Sequence, residues 1–136
     1  MKSLSVLLIE DDQIETIKFK RVIAAFEEKH RVIEAQNGEE ALQYLASDQE
    51  LPDVILLDLN MPKMNGIEFL KTLKAHPEMK YIPVVILTTS NNHKDVLESY
   101  TAGVAGYILK PLRYEAYKTK IQVLIEYWMH NEFFKP

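Results

Sequence analysis

Two kinds of hydrophobic pattern alternate along this chain. Near-continuous apolar runs at about 5–9, 53–57, 83–88 and 106–109 read as strands, with a shorter and more polar one at 31–35. Between them, at about 13–28, 39–47, 66–75, 93–102 and 113–131, apolar residues recur at helical spacing among charges, as Phe19, Val22, Ile23 and Phe26 do in the first such stretch. Five βα units in series predict an α/β fold, a parallel sheet covered by helices on both faces. Runs of Val, Ile and Leu suit strands buried on both sides, whereas 31–35 suits an edge. Asn37-Gly38 resembles a hairpin turn in isolation, but the helical stretch after it predicts a βα loop. In the last helix Tyr117, Ile121, Leu124 and Trp128 form one stripe and read as core. Tyr114, Val123, Tyr127 and Met129 fall outside that stripe and, if exposed, would suggest an interface.

The strand ends carry the chemistry. The runs break into Glu10-Asp11-Asp12, Asp58, Thr88 and Lys110-Pro111. Ligands of an open parallel sheet sit outside the carboxyl ends of its strands, so these groups are expected to converge on one shallow, solvated site. Each also has a plainer reading. Asp12 followed by Glu15 is a capping-box-like start for the first helix, against direct metal contact. Asp58 could be a turn-forming aspartate, Thr88 could satisfy local backbone groups, and Lys110 alone reads as a surface lysine with its stem laid on the core. Glu10 and Asp11 are harder to explain this way, because adjacent acids at the end of a buried strand repel unless a cation offsets them. Taken together, carboxylate oxygens and a backbone carbonyl suit Mg²⁺. A remaining carboxylate suits a nucleophile for phosphoryl groups, and a hydroxyl and an ammonium can stabilise the transferred group.

Composition removes other classes. A length of 136 residues is most simply one domain, 1–136, with a C-terminal helix and tail at about 113–136 and no output domain after it. The net charge of -4 argues against direct nucleic-acid binding. No stretch is long and apolar enough for a membrane span, and the start is not a signal peptide, so the expected location is cytoplasmic. Without cysteine there are no disulfides, thiolate catalysis or zinc-thiolate sites. His30, His76, His93 and His130 lack metal-ligand spacing and read as solvated surface groups; His93, just past Thr88, is the one to watch. Gly66 and Gly106 read as turn positions needing unusual backbone angles. No P-loop or dinucleotide fingerprint is present.

Four segments carry a family resemblance: Ile9-Glu10-Asp11-Asp12, Asp58-Leu59-Asn60-Met61-Pro62-Lys63-Met64-Asn65-Gly66, Pro83-Val84-Val85-Ile86-Leu87-Thr88-Thr89-Ser90, and Gly103-Val104-Ala105-Gly106-Tyr107-Ile108-Leu109-Lys110-Pro111. In order and spacing they resemble receiver domains of two-component response regulators, over about residues 4–126, and are particularly similar to stand-alone receivers of the chemotaxis and phytochrome-associated types. The resemblance implies a flavodoxin-like, doubly wound five-stranded sheet in the order 2-1-3-4-5. It implies Asp58 as phosphoacceptor for a histidine kinase or phosphotransfer protein. It implies Mg²⁺ held by Asp11, Asp58 and the backbone carbonyl of Asn60, with Glu10 acting through a water. Thr88 would bond the phosphoryl oxygen, Lys110 would pair with it, and Tyr107 would be the aromatic switch, its plainer reading being a packed strand aromatic. A cis Lys110-Pro111 bond is also implied.

The expected output is contact with a downstream protein, a homodimer through residues 93–131, or onward phosphotransfer. Two alternatives remain. One is a Mg²⁺-dependent aspartate-nucleophile phosphatase, although that class places its nucleophile after the first strand. The other is a receiver-like adaptor independent of phosphorylation, which the intact positions 10, 11, 58, 88 and 110 oppose.

Overall fold

The computed structural model describes residues 2–47, 49–61 and 64–136. Its elements follow in the order β1 (Ser5–Ile9), α1 (Gln13–Ala24), β2 (Arg31–Ala35), α2 (Gly38–Ala46), β3 (Val54–Leu57), α3 (Gly66–Ala75), a 3₁₀ turn (Met79–Tyr81), β4 (Val84–Thr88), α4 (His93–Thr101), β5 (Gly106–Leu109) and α5 (Tyr114–Met129). The five strands are parallel and ordered β2-β1-β3-β4-β5, so β2 is an edge as its polarity predicts and β5 is the other.

Strand alternation sends residues to two cores. Val6, Leu8, Val54, Leu56, Val85 and Leu87 pack against Phe19, Val22 and Ile23 of α1 and Tyr117, Ile121 and Trp128 of α5. Leu7, Ile9, Ile55, Leu57, Val84 and Ile86 pack against Ala41 and Leu45 of α2 and Phe69, Leu70 and Leu73 of α3. Each fully buried aliphatic contributes about 1.5–3 kcal/mol. The central strands therefore form a frame rigid enough to hold side chains at their ends.

Helix boundaries are set by caps. Asp12 begins α1, its Oδ1 accepting from Ile14 N at 2.9 Å and Glu15 N at 3.4 Å. The capping box is only half realised, for Glu10 Oε2, not Glu15, accepts the Asp12 N–H. The helix stops at Ala24, four residues short of expectation, because Ala25 and Phe26 tighten into bonds on Val22 and Ile23 and the chain must turn back to pair Arg31 with Ser5. Asn37 caps α2 through Glu40 N, so Asn37-Gly38 is a βα loop. At the end of α4, Gly103 takes φ 99°, while Val104 N donates to Ser99 O and Gly103 N to Tyr100 O, a Schellman ending.

Several sequence expectations need correction. Among the described residues Gly103 is the glycine at positive φ, and Gly66 and Gly106 are not. Gly66 is required for closeness instead: a Cβ there would lie 2.8 Å from Leu59 Cα and 2.9 Å from the Asp58 carbonyl oxygen. Gly106 has an ordinary neighbour, Val85, at 3.8 Å. Met129 is buried and Tyr114 half-buried against the α1/α5 core, because α5 buries a face wider than one stripe. Val123 and Tyr127 are exposed. His30 is not a solvated histidine: its Nδ1 accepts from Leu4 N at 2.9 Å, and burial lowers its pKa. His76 Nδ1 accepts from Glu78 N and Met79 N. His93 and His130 are exposed, as expected.

Replacing Gly66 by Ala should lower stability by about 1–3 kcal/mol, the usual cost of overpacking. The same change should perturb the amide resonances of Asp58 and Leu59 in NMR spectra, because the added carbon meets their backbone rather than a movable side chain.

Candidate functional site

The sheet ladder continues one residue past the strands at three places. Glu10 N donates to Ala35 O, Asp58 N to Ile9 O and Lys110 N to Thr88 O, at 2.9, 3.1 and 2.8 Å. The side chains at the carboxyl edge are thereby fixed by backbone pairing rather than left on free loops. They surround a cleft of about 440 Å³ lined by Glu10, Asp11, Asp58, Lys110 and the rim residues Asp12, Glu15, Lys18, Thr89, Pro111 and Leu112.

All the predicted strand-end groups converge here. Glu10, Asp11 and Asp58 each bring a carboxylate oxygen within 4.8 Å of the others. Thr88, fully buried, donates from its hydroxyl to Asp58 Oδ1 at 3.0 Å. The Lys110 ammonium lies 2.5 Å from Glu10, 3.4 Å from Glu15 and 4.0 Å from Asp58. Asn60 is exposed, and its N–H donates back to Asp58 Oδ1 at 3.3 Å, closing the turn after β3. Pro62 and Lys63 of the matching segment 58–66 lie outside the described residues.

The floor of the site is drier than expected from its surface position. The Lys110 side chain is 7% exposed and that of Glu10 5%, so Lys110 is no surface lysine. Burial pushes the Glu10 carboxyl up from 4.5 to about 7, against the pull of Lys110. For Lys110, burial favours the neutral amine, but the hydrogen bond and charge of Glu10, then Asp58 and Glu15, outweigh it and raise the pKa. The Lys110–Pro111 peptide is trans, not cis. The trans form is the ordinary preference for X-Pro, and Lys110 reaches the cleft from it.

Tyr107, the expected switch, is half-buried and donates its hydroxyl to the Ser90 carbonyl at 2.7 Å. Ser90 N donates to Thr88 Oγ1, and Ser90 Oγ to Asp95 Oδ2 at 2.6 Å. A continuous polar path thus runs from Asp58 through Thr88 and Ser90 to Tyr107 and the start of α4. Sequence reasoning did not place Glu15 and Lys18 at the cleft. Their spacing of three, one turn beyond the acidic strand end, was the available signal, and they form an ion pair at 3.2 Å.

Chemically, the site offers hard oxygen donors for a small cation, a carboxylate bonded by one hydroxyl, and an ammonium beside it. Comparison with known proteins gives the chain's relatives. The family model described as the response regulator receiver domain matches residues 6–122. Response regulator Rcp1 of Synechocystis sp. is 34% identical over 131 residues, covering 93% of this chain and 89% of that protein. The probable methanogenesis regulatory protein FilR2 of Methanothrix harundinacea is 34% identical over 128 residues, or 91% of this chain and 83% of that one. Among solved structures, the phosphorylated cyanobacterial phytochrome response regulator RcpA has a TM-score of 0.91 at 32% identity, covering 99% of each chain. The Mn²⁺-bound form of Rcp1 has a TM-score of 0.89 at 32% identity, covering 98% of this chain and 99% of that one.

Burial of the Lys110–Glu10 pair yields a stability test. Lys110→Ala should cost up to about 3–5 kcal/mol, since it strands a buried carboxylate. Denaturant titrations should show a smaller loss at pH 6 than at pH 8, because Glu10 can take up a proton in the acid. Adding Glu10→Gln should recover part of the loss at pH 8.

Proposed function

The chain belongs to the response regulator receiver domain family of two-component signalling, and on that premise we propose that it takes a phosphoryl group onto Asp58 from the phosphohistidine of a histidine kinase or phosphotransfer protein. The observation behind this reading is the Asp58 carboxylate itself. It is held by the Thr88 hydroxyl at 3.0 Å, faced by the Lys110 ammonium at 4.0 Å, and set within 4.8 Å of the Glu10 and Asp11 oxygens.

The donor set fits Mg²⁺. Asp11, Asp58 and the Asn60 carbonyl would hold it directly. Glu10 would act through water, consistent with its two oxygens already accepting from Lys110 and from Asp12 N. When bound, Mg²⁺ supplies charge neutralisation for the phosphoryl oxygens. Asp58 attacks phosphorus with a carboxylate oxygen; an O–P bond forms, the P–N bond breaks, and the imidazole nitrogen leaves with the electron pair and takes a proton. Lys110 pairs with the transferred oxygens and Thr88 donates to one of them. Leu112, exposed at the cleft, and Ile14 and Ile17, exposed on α1, would meet the phosphodonor protein.

Output is proposed along residues 93–131. Tyr107 lines an apolar groove of about 660 Å³ with Ile108, Leu109, Lys120, Val123 and Tyr127. Drawing the Thr88 hydroxyl toward a phosphoryl group vacates space for the Tyr107 ring, so a charge change at Asp58 reshapes the groove where a downstream protein or second copy would dock.

Acetyl phosphate or phosphoramidate with Mg²⁺ should add one labile phosphoryl group, read by intact mass; an adduct that survives in Asp58→Ala, or forms fully in EDTA, overturns the assignment. Beryllofluoride with Mg²⁺ should shift NMR resonances from Asp58 through Thr88 and Tyr107 into the groove. Shifts confined to α1 and α2 would reject the output face.

The raised Glu10 carboxyl gives a pH dependence. Between about pH 4.5 and 7 the folded protein holds a proton that the unfolded chain has released. This contribution therefore stabilises the fold in acid and is lost as pH rises through about 7. Cation binding favours the ionised form, so Mg²⁺ affinity should fall below pH 7, by at most about tenfold per unit for one proton. Calorimetry of Glu10→Gln should show a flatter profile.

A further inference from the structure

Glu15 stands between two ammonium groups. Its Oε1 lies 3.4 Å from Lys110 Nζ, and its Oε2 accepts from Lys18 Nζ at 3.2 Å. Lys18 is itself anchored, its ammonium 4.5 Å from the centre of the buried Tyr117 ring. Three carboxylates thus compete for Lys110 at graded distances, Glu10 nearest, then Glu15, with Asp58 farthest at 4.0 Å. Glu10 is pinned by the Asp12 N–H on its other oxygen. Glu15 sits at the rim on α1, with its side chain 22% exposed, and is the competitor whose hold depends on a second, separable ion pair.

We infer that Glu15 is a positioning residue for Lys110: bridged to Lys18, it draws the ammonium toward α1 and sets how readily that ammonium crosses to an anion on Asp58. The inference rests on Asp58 being the phosphoacceptor. An aspartyl phosphate adds roughly one to two negative charges at the farthest of the three competitors. Transfer of the ammonium to it separates Lys110 from Glu15 and leaves Glu15 to Lys18. The bridge thereby acts as a restraint on the resting state, and weakening it should favour the anion-bound state.

Substitutions separate position from charge. Glu15→Gln removes the charge, whereas Glu15→Asp keeps it on a stem one methylene too short to span both ammoniums. Asp12 supplies the α1 cap, so neither change removes it. The experiment is a titration of the full chain with beryllofluoride in saturating Mg²⁺, followed by NMR. Both variants should bind about two- to fivefold more tightly than the parent, the range of a partly solvated ion pair. In the metal-free protein the ¹⁵N resonance of the Lys110 ammonium should move in both Glu15 variants. Parent-like binding by Glu15→Asp overturns the inference, as does a Glu15→Gln gain that persists undiminished in a Lys110→Met background. A parent that binds no beryllofluoride removes the phosphoacceptor reading and this inference together; a parent that binds, with unaltered Glu15 variants, removes only the inference.

Discussion

The ion pair between Lys110 and Glu10 spans 100 residues of sequence and the width of the sheet between β5 and β1. At about 4.8 Å per strand the two strands lie roughly 14 Å apart, so the lysine and glutamate side chains must reach toward each other across the carboxyl edge, past the ends of β4 and β3. Burying two charges there costs about as much as their attraction returns unless the geometry is tight and further hydrogen bonds satisfy them. Backbone pairing beyond the strand ends supplies that geometry, and the Asp12 N–H satisfies the second Glu10 oxygen. The Asp58 carboxylate is therefore placed in a pre-charged cleft whose cations and anions are already apportioned.

The fold was legible because its signals are local and repeated. Val-, Ile- and Leu-rich runs ending in polar groups have few other uses than buried parallel strands, and the helices between them show their faces in apolar spacing. What stayed hidden was set by tertiary demands. The end of α1 at Ala24 is dictated by where β2 must begin, which residues 25–28, read as a continuing helix, do not reveal. The need for glycine at 66 comes from backbone packed against it, a closeness invisible in sequence, while Gly103 at the left-handed helix ending passed unremarked among motif residues. Met129 lies one residue past the stripe, about 100° around the helix, yet α5 buries enough of its circumference to include it.

The site divides in the same way. Glu10, Asp11, Asp58, Thr88 and Lys110 were legible because each terminates a strand, and a parallel sheet gathers strand ends. Glu15 was not, because a glutamate three residues after a capping aspartate has a sufficient local explanation, and only the structure shows its carboxylate turned away from the cap toward Lys18 and Lys110. Burial of Lys110 was missed for a related reason: a lysine before a proline resembles an ordinary surface turn until the acidic end of β1, three strand positions away, is placed beside it.

Lys120 adds a protective element at the other end of this economy of charge. Its ammonium donates to the Leu109 carbonyl at 3.0 Å, on the outermost strand of the sheet. Exposed strand edges invite pairing with other chains, and lysine is among the residues used to blunt them. A strand approaching β5 would have to displace that ammonium from the carbonyl it needs. The edge therefore resists uncontrolled sheet extension, leaving the neighbouring apolar side chains available without making the backbone a template for aggregation.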